Sequence, residues 1–231
     1  MITKMNWEFK SQYEYYLVDT IPSTNTYLKE NSDLYPDKTV LIALEQTAGR
    51  GRYDRVWKSD NDLIFSLLLK KNGNYAITTP LAVCLGLAEF GFDTGIKWPN
   101  DIYMNDKKLA GILIEDVFNK KFVSSVIGIG INMKEKESFH SAGLNTKISK
   151  YKIINAIVEK FEELNKLDVH TLICLYKTKS IIIGRQVYYH DKVYTADDID
   201  DLGYLVLKGE KDTIKVSGDE INIKESLLKW K

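Results

Sequence analysis

The stretch Glu45-Gln46-Thr47-Ala48-Gly49-Arg50-Gly51-Arg52-Tyr53-Asp54-Arg55-Val56-Trp57 alternates two glycines with two arginines, adds a third arginine at Arg55 and closes on an indole. Gly49 and Gly51 let the backbone take positive φ and approach a ligand with no Cβ in the way. Arg50, Arg52 and Arg55 supply planar, permanently charged forks that suit carboxylate and phosphate oxygens. Such a segment is suited to close over an anion that carries a flat ring; an exposed basic turn is the plainer reading of the same residues. Its arginines repel one another, so the loop is expected to order when a ligand supplies negative charge. Immediately upstream, Thr39 to Glu45 is a continuous apolar run of strand length, expected to be covered on both faces. Leu63 to Leu69 follows downstream and is equally apolar. The loop therefore hangs between two buried strands.

Further out, the N-terminal residues 1–12 are polar with a few aromatics, too short for a folding unit of their own. Tyr15 to Val18 reads as a strand, broken by Asp19 and Pro22, and Ser23-Thr24-Asn25 opens a short helix to about Lys29. Ser23 is a good N-cap, and its hydroxyl is equally suited to face a polar ligand. On the C-terminal side, Thr79-Pro80 is expected to start a helix with Pro80 at its first position and Leu81, Cys84, Leu85 and Ala88 buried. A short strand at 96–98 ends at Pro99. Segments 102–104 and 109–115 read as hairpin arms around Asn105-Asp106, and 123–132 as a further strand with Gly128 and Gly130 two apart. The segment 134–147 is polar and irregular. Ser149 is expected to cap a helix with the stripe Ile153, Ile154, Ile157, Val158, Phe161 and Leu164, and a second helix to run from His170 to Ile182. After Gly184 come five short strands near 186–190, 193–196, 204–207, 213–216 and 221–223, a spacing that suits a small barrel. The domain boundary is placed at Ile183-Gly184, giving units 1–183 and 184–231.

The 32 basic residues balance the 32 acidic ones, which removes any bulk electrostatic attraction to nucleic acid, so no DNA partner is expected. Cys84 and Cys174 are the only cysteines, each in an apolar helical pattern, and are read as two buried free thiols. No zinc spacing exists among them and His140, His170 and His190. With no signal core and no run of transmembrane length, a cytoplasmic location away from the membrane is the expectation.

Lys97-Trp98-Pro99-Asn100-Asp101 is a second dense cluster. Pro99 holds Trp98 extended, and Asn100 and Asp101 offer oxygens that suit Mg²⁺; an ordinary Asn-Asp turn is the competing reading. Lys108 enters as a lone cation two residues past a turn, where a solvated side chain is the plainer reading. Taken with Ser23-Thr24-Asn25, the Gly-Arg loop, Lys108-Leu109-Ala110-Gly111-Ile112-Leu113-Ile114-Glu115 and Ile127-Gly128-Ile129-Gly130-Ile131-Asn132, the ordered set resembles the biotin protein ligases. The resemblance runs from about residue 15 to the C-terminus, where Ser217-Gly218-Asp219-Glu220-Ile221 is similar to the family's terminal barrel.

That resemblance implies an α+β fold: a mixed β-sheet catalytic domain flanked by helices, class II synthetase-like, followed by a small SH3-like β-barrel. It implies an ATP- and Mg²⁺-dependent enzyme that makes biotinyl-adenylate and passes biotin to a lysine of a carboxyl carrier protein. The residues implied as catalytic are Lys108, Arg50 and Arg52. Ser23, Thr24, Asn25, Gln46, Gly49, Arg50, Lys108, Gly111 and Gly128 are implied for biotin. Arg52, Arg55, Trp57, Lys97, Asn100 and Asn132 are implied for ATP, with Trp57 stacking on adenine, and Asn100 and Asp101 for the metal. Gly111, Gly128 and Gly130 would keep the biotin slot narrow. Where the family's loop commonly continues with Arg and Gly, this chain has Tyr53 and Asp54, one cation fewer and one anion more. The short N-terminal arm leaves no room for the helix-turn-helix domain of some family members. A homodimer is compatible with the resemblance; a lipoate ligase and a non-catalytic biotin-binding paralogue are the alternatives.

Overall fold

Leu63–Leu69 is buried at all seven positions, as expected of a strand enclosed by neighbours on both faces. A computed structural model describes residues 1–53, 55–118, 123–136, 141–218 and 221–223 of the chain. In chain order the first elements are β1 (Thr3–Lys4), β2 (Glu14–Ile21), α1 (Thr24–Glu30), β3 (Thr39–Gln46), β4 (Gly49–Arg50), β5 (Val56–Trp57) and β6 (Leu63–Leu69). Next are α2 (Tyr75–Ala88), β7 (Gly95–Lys97), β8 (Asp101–Met104), β9 (Lys107–Phe118), β10 (Val123–Ile131), α3 (Lys150–Leu164) and α4 (Val169–Lys179). Strands β1-β2-β3-β6-β10-β9-β8-β7 form one eight-stranded sheet in that order. It is mixed: β2 and β3 are parallel, and the remaining neighbours are antiparallel.

Strand alternation sends side chains to opposite faces. Val40 and Ile42 of β3 join the large core under α2, α3 and α4, whereas Leu41 and Ala43 join the smaller cluster around Leu28 of α1. α2 and α3 cross so closely at Gly86 that a Cβ there would come within 2.8 Å of the Ile157 backbone. The hairpin β8–β9 turns through Asn105 and Asp106, both at positive φ (52° and 59°), the conformation that a two-residue Asn-Asp turn supplies.

Residues after α4 form a separate sheet from β11 (Gln186–Tyr189), β12 (Lys192–Ile199), β13 (Leu205–Lys208), β14 (Thr213–Val216) and β15 (Asn222–Ile223). Its order is β14-β13-β12-β11-β15, all antiparallel, with a bulge between Ala196 and Asp198. Val187, Ala196, Ile199, Leu205 and Leu207 continue the buried core of the main sheet, and Trp98 Nε1 donates to Gly203 O at 3.0 Å.

Several local expectations are corrected. β2 runs past Asp19 to Ile21. α2 starts five residues before Pro80, because Tyr75 and Ile77 have core positions to fill. Their burial outweighs the roughly 3 kcal/mol that an internal proline costs. Its Leu85 is only half-buried and Ala88 is exposed. Ser149 holds the N-cap position of α3 without a side-chain hydrogen bond, while every residue of the forecast stripe is buried. α4 stops at Lys179, three residues short, because Ile181 N leaves the helix to bond Ile96 O at 2.9 Å. Cys84 is buried, and burial pushes its thiol up to about 11; Cys174 is exposed rather than buried. No helix among the described residues is long and apolar enough to cross a membrane. Asp54, His140, Asp219 and Glu220 lie outside the described residues.

Candidate functional site

One end of the site is neutral and sealed. Ser23 does cap α1, accepting from Thr26 N at 3.3 Å, and it also lines the cavity, so its two readings coexist. Gln46, at the end of β3, accepts from Thr24 N at 2.8 Å and from Thr24 Oγ1 at 3.0 Å. With Oε1 taken twice, the Gln46 amide nitrogen is the group left to meet a ligand acceptor. Beneath them lies Ser66, fully buried in the middle of β6, its Oγ 2.7 Å from both Thr24 Oγ1 and Asn25 Oδ1. Asn25 Nδ2 in turn donates to Leu113 O and Glu115 Oε2, each at 3.1 Å. Sequence reasoning missed Ser66; the signal was a lone hydroxyl inside an otherwise apolar strand.

Gly111, Gly128 and Gly130 line the cavity, and each also makes room for a neighbouring side chain. Built onto Gly128, a Cβ would lie 2.4 Å from Asn25 Oδ1; on Gly130 it would lie 2.6 Å from the Trp57 ring, and on Gly111 3.2 Å from that ring. They make room for Asn25 and Trp57, and those two side chains then wall the slot. Gly49 does not line the cavity: a Cβ there would meet Trp57 O at 2.6 Å and Gln46 Nε2 at 2.8 Å, so it is the packing behind the wall. The indole also carries Lys136 Nζ at 5.9 Å from its ring, and that ammonium pairs with buried Asp62. Burial pushes the Asp62 carboxyl above its ordinary value despite the lysine.

The other end is cationic and more open. The Gly-Arg segment is a small hairpin, with Gly49 opposite Trp57 and Arg50 opposite Val56, tightened by Gly51 N donating to Arg55 O at 2.6 Å. Arg50 Nη2 lies 2.6 Å from Glu115 Oε1, the same oxygen that Lys29 Nζ reaches at 2.6 Å. Burial pushes Glu115 up, but hydrogen bonds from Lys29, Asn25 and Arg50 outweigh it and hold the carboxyl below its ordinary 4.5. Arg52 Nη1 donates to Asn100 Oδ1 at 3.1 Å, and Asn100 Nδ2 donates to Ile112 O at 2.7 Å. Lys108 Nζ sits 2.7 Å from Asp101 Oδ1.

A β-bulge aims that lysine. β8 pairs Ile102 with Ala110 and Tyr103 with Lys108, leaving Leu109 as an extra residue. In a regular strand residues 108 and 111 would face opposite ways. Here a Cβ on Gly111 would lie 3.5 Å from Lys108 Nζ, so both serve one cavity.

That cavity, about 320 Å³, is lined by every forecast site residue except Gly49. Lys97 reaches it with its ammonium 5.6 Å from the Tyr103 ring centroid, and Arg55 from the hairpin turn. Asn132 Nδ2 is 3.4 Å from Lys108 O. Lys136 and Ser141 line it too and were not forecast; they come from a segment whose polarity read as an ordinary loop.

A model of the Biotin/lipoate A/B protein ligase family matches residues 17–132. The biotin–[acetyl-CoA-carboxylase] ligase of Mycobacterium tuberculosis is 30% identical over 217 residues, which cover 81% of this chain and 80% of that protein. The bifunctional ligase/repressor BirA of Bacillus spizizenii is 41% identical over 129 residues, 51% of this chain and 40% of the relative. The chain thus spans less than half the length of such bifunctional relatives. Among solved structures, the Aquifex aeolicus biotin protein ligase in complex with biotin and ATP superposes with a TM-score of 0.75 at 23% identity, over 93% of this chain and 99% of that one. The Helicobacter pylori biotin acetyl coenzyme A carboxylase synthetase with bound biotinylated ATP gives 0.70 at 26% identity, over 92% and 100%. With half its length matched by one family model, and a 30% identical relative covered over four-fifths of its own length, the chain belongs to the biotin/lipoate A/B protein ligase family.

Proposed function

We propose that this protein joins biotin to ATP, releasing pyrophosphate, and then passes biotin from the adenylate to a lysine of a biotin carboxyl carrier protein. One observation carries this reading: a single cavity has a neutral, hydrogen-bonding end and a cationic end, with Lys108 at their junction. A ureido ring offers two donors and one acceptor, which suits Ser23, Thr24, Asn25 and Gln46. Activation brings two anions together, so it needs cations where charge gathers. A biotin carboxylate oxygen attacks the α-phosphorus; the bond to the bridging oxygen breaks and pyrophosphate leaves. In this reading Lys108 exchanges Asp101 for the carboxylate and α-phosphate oxygens, flanked by Arg50 and Arg52. Arg55 and Lys97 meet the pyrophosphate, and Trp57 and Asn132 meet adenine. The carrier amine then attacks the acyl carbon of the anhydride, AMP departs, and the amine proton goes to water.

Asn100 and Asp101 present hard oxygen donors beside the phosphate position, a set that suits Mg²⁺ with water and phosphates completing its shell. In this structure Asn100 Oδ1 faces Arg52 and Asp101 Oδ1 faces Lys108. Asn100 and Asp101 would hold the ion once those cations turn to the ligand, and it would neutralise phosphate charge. The reading extends to the C-terminal unit: we assign 184–231 to a second domain, a small SH3-like barrel, a reading supported by the five antiparallel strands described between residues 186 and 223 and by the bulge in β12. A cytoplasmic location fits two unpaired cysteines. Incubation with ATP, Mg²⁺, biotin and a carrier domain, followed by intact mass of the carrier, tests the whole. One added biotinyl group is expected; labelling with lipoate but not biotin would sink the reading.

A further inference from the structure

Tyr53 sits at the tip of the Gly-Arg hairpin with φ of 54°, a left-handed conformation that a bulky residue rarely takes. Such a residue persists only where its surroundings hold it. Two contacts do so. Its hydroxyl accepts from Arg52 Nη2 at 3.1 Å and donates to Gly218 O at 3.0 Å, in the turn that follows β14. Its ring also lies 5.0 Å from the Arg52 guanidinium carbon. The hydroxyl uses one lone pair and its one proton, so the chain of bonds runs in a single sense from Arg52 through Tyr53 to the C-terminal sheet. Arg52 is held on its other nitrogen by Asn100 Oδ1, and a few residues past Gly218 the buried Ile221 lines the same cavity.

We propose that Tyr53 is a positioning residue: it fixes Arg52 across the cavity mouth by tying the hairpin to the C-terminal sheet, and so keeps the adenylate in place. The inference rests on the ligase reading above. Without the hydroxyl, Arg52 keeps Asn100 but loses the partner that stops it from swinging outward with the hairpin tip. A reactive acyl-phosphate anhydride would then leave before a carrier arrives.

The test uses the full chain and two variants, Tyr53→Phe, which deletes only the hydroxyl, and Tyr53→Ala, which also deletes the ring over Arg52. Biotinyl-adenylate is formed in place, and its release is followed by chase and by biotin counted on bystander albumin by intact mass. Loss of the hydroxyl's two exposed hydrogen bonds, one of them from a guanidinium, corresponds to roughly a 10- to 100-fold faster release for Tyr53→Phe, with Tyr53→Ala faster still. The KM for ATP in pyrophosphate exchange is expected to rise by more than kcat falls. A purely structural role would lower the melting temperature and activity without raising bystander labelling, and that outcome would overturn the inference. So would Tyr53→Phe releasing adenylate at the wild-type rate. A wild-type protein that forms no biotinyl-adenylate at all would instead remove the ligase reading, and this inference with it.

Discussion

The two ends of the cavity satisfy their polar groups in opposite ways. At the neutral end Ser23, Thr24 and Asn25 are at most 4% exposed, and their partners are backbone amides and uncharged side chains on β3 and β6, with Glu115 at the edge. At the cationic end the Arg50 and Lys108 side chains are 44% and 36% exposed, and each leans on a carboxylate. A neutral ligand therefore meets groups already aimed and needs no rearrangement, which favours affinity. An anionic one must take Lys108 from Asp101 and Arg50 from Glu115 before those charges can act on it. The contrast separates recognition, fixed in the fold, from electrostatic work, which is released by exchange of partners.

The strongest way to break this contrast is Lys108→Ala. If the junction lysine stabilises charge at the α-phosphate, biotin-dependent pyrophosphate exchange should fall by roughly 10²–10³, the scale for losing a principal electrostatic donor. The fold should survive, because the lysine side chain is a third exposed and its strand pairing with Tyr103 runs through the backbone. Near-normal exchange by a folded variant would return Lys108 to the role of a surface cation.

Gln46→Ala probes the neutral end. It leaves Thr24 N and Oγ1 without their shared acceptor, so the KM for biotin should rise about 10- to 100-fold, with kcat changed far less. An equal fall in kcat with KM unmoved would mean that the two ends are not separable in this way.

The smallest expected effect sharpens the border between them. Glu115 is held below its ordinary 4.5, so its contribution to stability is present above that value and is lost as pH falls through the lower folded-state value. Glu115→Gln should cost about 1 kcal/mol at neutral pH, given one shared and partly exposed carboxylate oxygen. Thermal melts of both proteins from pH 7 down to pH 3 should converge below pH 4.5. A gap that stays constant would assign the carboxylate no charge-dependent role.

Much of the sheet was legible because its strands are apolar runs bounded by turn residues: Leu63–Leu69, the Asn105-Asp106 turn and the five C-terminal strands fall where pattern puts them. The cavity residues were legible because their types are unusual at their spacing. Contacts made across distance were not. Glu115 looks like the end of an apolar arm, and only the fold brings Lys29 and Arg50 to the same oxygen. Leu109 looks like any strand residue, yet as the bulge it decides where Lys108 points. Pro80 misled because local chemistry favours a helix start, whereas upstream burial set the boundary. The exposed Cys174 shows the same limit, since an apolar neighbourhood in sequence does not fix which side of a helix a residue takes.

The indole of Trp57 resting on Gly111 and Gly130 ties three distant positions to one another in heredity. Any side chain gained at 130 collides with the ring at 2.6 Å, so that site cannot drift while the tryptophan stays; at 111 it presses on the ring at 3.2 Å, and the indole must give by a few tenths of an ångström. A smaller residue must arise at 57 first, and that step opens the slot before anything fills it. Descendants of this chain are therefore expected to change 57 and 130 together or not at all, with 111 under the weaker form of the same constraint.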